Sequence, residues 1–495
     1  MTDVGTAPKP TTAQGICIAF LDPWNVTNAT SGATQATWTR IDDPSTASLS
    51  IGGDLITSPS HVVTSWSSDR GRQYELDTTQ TGTATISITD TSGLFNPVGS
   101  SPYVFGLGAM KRCVINAQNP VTGVYSDVFS GYVQTYTWKY ADQSKSVMLI
   151  DISLVDGFDQ LTRSELVPDN TGYTTFNGGQ VDDRINALLF SGDWPGIGTA
   201  DSLASINSGN VACAAYQYNS GTTVLSAIQD AADAEFPGVA NFFIDRHGNA
   251  TFRGRWPRFI PEDYSPSQVS FWNVGDYDYA ETFGYAPFSD IEWTIDQTLQ
   301  YNACLCYPYN FPQYNYPAQL KFDPISIAAY GTRQITLNDI IVHGAAEDTD
   351  PSHAPTTGPP LPATDGPTEC QAFASYYVDN FAYSTLRISS ITFKTVDPNG
   401  GTPNAALWEM LLNVEIGDVL NVYTTIPGGG GLDPTTTIPY PDGSPNYQGN
   451  QFFVDGIHHQ VNPLNAEYPD WTVTLDLSPR AWYKYFKSNT YYAAP

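Results

Sequence analysis

The sequence is short of positive charge. Its 495 residues hold 21 Lys and Arg against 50 Asp and Glu, a formal charge of −29 with histidine neutral. Gripping nucleic-acid phosphates needs clustered cations, so a basic nucleic-acid binder is excluded. Cysteine is scarce too. Cys17, Cys113, Cys213, Cys304, Cys306 and Cys370 are scattered, and six in so long a chain make no disulfide framework. No run approaches the roughly 18 apolar residues of a membrane helix. Met1 to Gln14 is small and polar, with no basic start and no apolar stretch, so no secretory leader is expected. The sequons at Asn25, Asn28 and Asn249 therefore carry little meaning. Phosphate loops of the G-x-x-x-x-G-K-[ST] type, H-E-x-x-H helices, G-x-S-x-G elbows and EF-hand loops are all missing.

What remains is a chain built to fold. Charged residues are 14% and apolar ones 41%, which rules out a disordered acidic tail. Eleven Trp, 30 Tyr and 23 Phe can fill several cores. The 41 Gly and 36 Pro point to many turns and little long helix. The length exceeds what one hydrophobic core supports, so two to four domains are expected.

Periodicity divides the chain. Residues 1–13 read as a flexible arm. Apolar or alternating stretches at Gly15 to Phe20, Val62 to Trp66, Thr83 to Ile88, Lys111 to Ala117, Val128 to Trp138 and Val147 to Val155 read as strands. Short strands broken by Gly and Pro indicate a barrel or sandwich. After residue 165 the period changes. Val181, Ile185, Leu188 and Leu189 make a helical stripe, and Val224, Leu225, Ile228, Ala231 and Ala232 make another. Asn241 to Asp245 and Ala250 to Arg253 flank Arg246-His-Gly-Asn249 as a hairpin. Strands return at 286–345, including Ile291 to Thr294 and Gln334 to Leu337, and are expected to extend the first β module in part. Asp348 to Pro367 reads as a linker, with Pro367 in the first turn of a helix bearing Cys370, Phe373, Tyr377 and Phe381. Arg387 to Val396, Val419 to Tyr423, Phe452 to His459 and Trp471 to Leu477 read as strands, Ala405 to Leu412 as a helix, and Pro427 to Asn450 as an exposed excursion.

The candidate sites have plain structural readings. Adjacent residues on a strand face opposite ways, so His458 and His459 cannot readily chelate one ion and read as wall positions. Asp182 and Asp183 open a helix, where acids suit the dipole. Cys304 and Cys306 share a strand face, but two further ligands are not evident, and buried thiols are expected. Glu347, Asp348 and Asp350 read as a solvated acidic linker. His61, His247 and His343 lack a triad-like neighbourhood. Trp194, Trp256 and Trp408 could stack sugars, but large rings are more often core. No catalytic, metal or cofactor residue is assigned, and no cofactor is expected.

Several motifs recur in a telling order. Ser67-Ser-Asp-Arg70-Gly71-Arg72-Gln-Tyr-Glu75-Leu76-Asp77, then Gly82-Thr83-Ala84-Thr85-Ile86 and Leu94-Phe95-Asn96-Pro97, resemble minor tail proteins of long-tailed, siphovirus-type bacteriophages. Phe129-Ser-Gly131-Tyr132-Val133, Asp156-Gly157 and Tyr330-Gly331-Thr332-Arg333 are similar to further family motifs. Glu415-Ile416-Gly417-Asp418-Val419, Val454-Asp-Gly456-Ile457-His458 and Leu477-Ser478-Pro479 resemble its C-terminal barrel. The order spans residues 60–480.

The resemblance implies a tail-tip baseplate hub protein. The implied fold is mainly β, with two β-barrel hub domains bracketing a smaller α+β middle. The implied division is an arm at 1–13, a first barrel at 14–165, an α+β domain at 166–285, a mixed domain at 286–385, a second barrel at 386–485 and a tail at 486–495. It also implies a non-enzymatic homotrimer in the virion, assembled in the host bacterial cytoplasm. Its partners would be the distal tail or tail tube protein, the tape measure protein and receptor-binding tail proteins. DNA would pass in transit during genome ejection, without stable membrane insertion. Part of the acidity is expected to line the channel, where it would repel phosphates. The alternative from another class is a carbohydrate-binding or carbohydrate-degrading β-rich protein, which needs two carboxyls facing across a groove.

Overall fold

A computed structural model describes residues 16–22, 37–40, 49–51, 54–56, 61–91, 95, 109–141, 143–145, 147–168, 172–195, 197, 203–259, 261, 264–295, 297–309, 317–342, 366–384, 387–395, 404–425, 431–432, 450–462 and 470–480. The arm at 1–13, the 348–365 linker with its acids, His343, nearly all of the 427–450 excursion and the tail at 486–495 lie outside the described residues.

The chain is mostly β. Alternating sequence produces long antiparallel strands in the first part. Gln80–Asp90 pairs with His61–Gly71 on one side and Met148–Val155 on the other. Tyr125–Tyr140 and Arg112–Gln118 follow, then Ile16–Asp22 and Thr37–Arg40. Ile86, Ile88, Ile150 and Ile152 turn the same way and are buried, as period two requires.

The last part makes a second antiparallel group. Gln451–Asn462 is its central strand, pairing with Asp470–Pro479 along nearly its whole length. Asp470–Pro479 pairs with Arg387–Lys394. Helix Ala405–Asn413 packs Leu407, Trp408, Met410, Leu411 and Leu412 into this core. The two groups are not separate sheets. Residues 456–461 pair with 66–71, so one continuous sheet of 15 strands runs through both.

Between them sits the mixed middle. Helices Val181–Ser191 and Val224–Glu235 bury the two expected stripes. Asn241–Ile244 and Ala250–Arg253 form the expected hairpin. Helix Gly366–Phe381 covers the small sheet of Ala303–Pro308, Gln319–Phe322 and Gln334–Ile340. Pro367 lies in its first turn.

One expectation is corrected. Of the 286–345 strands, Asp290–Thr294 pairs with Arg387–Lys394 in the C-terminal group, Ala286–Pro287 pairs with Phe271–Gly275 at the end of the main sheet, and Ala303–Pro308, Gln319–Phe322 and Gln334–Ile340 form their own small sheet. None extends the first module. The open edge of Arg387–Lys394 accepts the strand, because its other edge is already filled by Asp470–Pro479.

Candidate functional site: a buried charged junction

Where the two β groups share hydrogen bonds, charges from distant parts of the sequence meet. Strand His61–Gly71 ends on Arg70-Gly71-Arg72, beside the bulge that interrupts Gln451–Asn462 between Val454 and Gly456. A bulge re-aims the residue it displaces. Here that residue is Asp455, fully buried. Its Oδ1 accepts from Arg72 Nε and Nη2 at 3.1 and 3.0 Å, and from Arg258 Nη1 at 2.9 Å. Arg258 also donates to Oδ2 of Asp455 and to Ser478 Oγ. Arg72 Nη1 donates to the carbonyls of Asp77 and Gly238 at 3.1 Å each. Burial alone would raise the Asp455 carboxyl, but the two guanidinium groups hold it at about 2.

Gly71 permits this approach. Its φ is +102°, and a Cβ there would stand 2.2 Å from the Asp455 carbonyl oxygen. No side chain fits.

Arg70 points to a second partner. Its Nη1 donates to Glu415 Oε1 at 2.8 Å. Burial would raise Glu415 as well, but Arg70 and Arg246 bring it to about 2. The 241–253 hairpin closes this side. Arg246 N donates to Glu415 Oε2 at 2.9 Å, and Arg253 Nη1 to the Ile416 carbonyl at 2.6 Å. At its tip, His247 Nδ1 lies 2.7 Å from Asp127 Oδ2 in the first module, and Arg112 donates to the His247 carbonyl. The hairpin thus touches both β groups. Asp418 accepts from the backbone N–H of Glu415 and Ser270 and from Trp272 Nε1, each at 3.0 Å.

Two further contacts extend the junction. Arg387 donates to Glu75 at 3.3 Å. Asp156 accepts from Gly82 N at 2.7 Å with one oxygen and from Phe158 N at 2.9 Å with the other, capping helix Gly157–Arg163. Burial nevertheless raises Asp156 to about 7.

A second lock holds the middle unit. Arg255 spans Glu235 and Glu369 at 3.1 Å each, with the rings of Phe236 and Phe373 against it. Together these locks absorb cations that the chain has few of. Among the described residues, seven Lys or Arg and seven Asp or Glu are buried. The buried charges balance, so the whole acidic excess is left to the rest of the chain.

The sequence candidates fall as follows. His458 and His459 do face opposite ways. His458 bridges Asp69 at 2.8 Å and Asp476 at 2.7 Å on the open face, which lifts it to about 9. His459 is buried against Trp66 and Trp471 and accepts from Trp471 Nε1; burial, then Arg70, lowers it to about 3. Asp182 and Asp183 lie in a first helical turn. Trp194 and Trp408 are buried and Trp256 is half-buried against Phe259. Cys304, Cys306 and Cys370 are buried free thiols, and a hydrogen bond between Cys306 and Cys370 on the covering helix, together with burial, raises the Cys306 thiol. The described residues contain no group of three or more His, Cys, Asp or Glu arranged for a metal. No described helix is long and apolar enough to cross a membrane.

Ion pairing across such distances escaped the sequence reading, since Arg72 and Asp455 are 383 positions apart. The motifs were the available signal. Arg70, Arg72 and Glu75 belong to one, Glu415 and Asp418 to a second, Asp455 and Gly456 to a third and Ser478 to a fourth, and they meet in space.

No family model and no curated protein matches the chain. Among solved structures it is similar to a tail protein from Neisseria meningitidis MC58, at 13% identity and TM-score 0.48 over 88% of this chain and 96% of that one. It is also similar to the 43 kDa tail protein of prophage MuSo2 from Shewanella oneidensis, at 10% identity and TM-score 0.48 over 94% and 99%. A component of the E. coli type VI secretion system, itself described as similar to T4 bacteriophage tail proteins, matches at 7% identity and TM-score 0.40 over 87% and 75%. At these identities the likeness is one of outline, and no residue or role is carried over from it.

Proposed function

We propose that this chain is a structural subunit of a bacteriophage tail tip of the siphovirus type. Three copies would form a hub ring that joins the tail tube to the distal tip and surrounds part of the DNA ejection channel. The observation that carries this reading is the convergence of the ordered tail-protein motifs on one buried junction. Their charged residues weld two β modules into one sheet, which suits a load-bearing ring subunit. Arg70, Arg72 and Arg258 pair there with Glu415 and Asp455, which suits a structural role.

In this reading the domains are those of the family: barrels at 14–165 and 386–485, with the α+β and mixed units between. This reading assigns part of the acidic excess to the channel wall, where it would repel passing phosphates. Native mass spectrometry of the purified chain tests the assembly, and imaging of virions tests its location. A mass of three chains and density at the tail tip are expected. A strictly monomeric chain that hydrolyses glycans would overturn the proposal in favour of a carbohydrate-active β protein.

A further inference from the structure

Past the strand that gives Trp272 to the junction, the end of the main sheet carries a ring-bearing surface whose helix makes none of the junction's hydrogen bonds. There Phe271–Gly275 runs parallel to Val419–Thr425 on one side and Ala286–Pro287 on the other. Helix Tyr277–Phe283 crosses the end. Tyr279, Phe283, Tyr285 and Tyr423 form a chain of rings with centroids 4.7–5.9 Å apart. Tyr277 and Phe283 are 61% and 60% exposed. The rings stand on a firm base. Asp276 caps the helix through Tyr279 N and also accepts from Thr425 N and Oγ1 at 2.9 and 3.2 Å. Tyr279, Tyr285 and Tyr423 are half-buried, so this ring chain meets water chiefly through Phe283, with Tyr277 exposed beside it in sequence. Partly exposed rings joined on a fixed scaffold suit an interaction surface.

Charge identifies the occupant. No Lys or Arg occurs between Arg258 and Lys321, or between Lys394 and Arg480. Those two stretches hold eight and ten acids. The two stretches meet where Phe271–Gly275 pairs with Val419–Thr425. Arginines from elsewhere engage Glu415, Asp418 and Asp455 at the junction. Asp278 and Glu281 stay exposed on the ring-bearing helix and form no ion pair among the described residues. The face therefore offers π-clouds and carboxylates, which both attract cations. A saccharide needs donors as well as acceptors and a flat platform, whereas these rings tilt by 23–40° to one another. A second copy, at −29, is a poor electrostatic match.

We infer that this face docks a cationic protein segment, whose Arg or Lys side chains lie over Tyr277 and Phe283 and pair with Asp278 and Glu281. The inference holds whatever the oligomeric state of the chain.

The test measures binding of a fluorescent nona-arginine peptide to the full chain by anisotropy, at about 150 mM salt to suppress diffuse attraction. Three double variants are compared: Tyr277→Ser with Phe283→Ser, Asp278→Asn with Glu281→Gln, and the distant pair Asp183→Asn with Asp193→Asn. All six residues are exposed, and thermal melts check that the fold is kept. Each site pair should weaken binding about tenfold, while the distant pair changes it less than about twofold. The inference fails if the distant pair weakens binding as much as the site pairs do. It fails equally if the ring variant binds like the parent, or if neutral oligosaccharides displace the peptide.

Discussion

The junction and the far end of the sheet use the same residue types in opposite ways. At the junction, carboxylates are buried and each meets guanidinium or backbone N–H groups. At the far end, carboxylates and rings stand in water. Bringing Asp455 into the interior costs several kcal/mol of solvation, which is recovered only because Arg72 and Arg258 arrive with good geometry. Exposed groups incur no such cost and leave the surface free to meet a partner. Stability should therefore be concentrated in one region and recognition in the other.

The sharpest way to break this contrast is Asp455→Ala. It strands two buried guanidinium groups and should cost about 3–5 kcal/mol, read as a lowered urea midpoint. An unchanged midpoint would mean that the junction is not what holds the modules. Next is Gly71→Ala, which combines a left-handed backbone with a clash against the Asp455 carbonyl and should cost about 3 kcal/mol. Asp156→Asn follows. Asparagine has one acceptor oxygen where Asp156 uses two, so one buried N–H is left unmet and about 1–3 kcal/mol is lost at pH 6.

Dependence on pH sharpens the comparison further. Glu415 and Asp455, held at about 2 in the fold, contribute stability that is present above their ordinary values of 4.5 and 3.8. It is lost as pH falls toward 2. Asp156, raised from 3.8 to about 7, contributes fully below 3.8, and that contribution fades as pH rises through 7. His458, raised from 6.5 to about 9, contributes below 6.5 and loses its effect as pH rises through 9. Denaturation midpoints should therefore peak in mildly acidic buffer and fall on both sides. His458→Gln should flatten part of the alkaline limb. Solvent screens this half-open group, so the cost stays below about 1 kcal/mol. The smallest effect belongs to the far end. Tyr277→Ser with Phe283→Ser should move stability by no more than about 0.5 kcal/mol. A large loss there would show the rings to be core.

Much of the fold was legible from local pattern. Thr83 to Ile88 alternates and forms part of a strand; Val181 to Leu189 repeats every three to four residues and forms a helix. Both are decided by which face must leave water. Helix Tyr277–Phe283 was not legible, because its rings are exposed and make no apolar stripe. Nor was the entry of Asp290–Thr294 into the C-terminal group, because strand propensity does not say which edge is open. The candidate site was half legible. The motifs were visible in order, but their partners were not.

By itself the sequence determined the strands and helices, the shortage of cations and the acidic excess, since periodicity and composition are local or additive. Only the tertiary structure decided which of those few cations are buried and against which acids. Ion pairs form by proximity, and the bulge at Asp455 and the bare backbone of Gly71 set that proximity once 61–71 and 451–462 lie side by side.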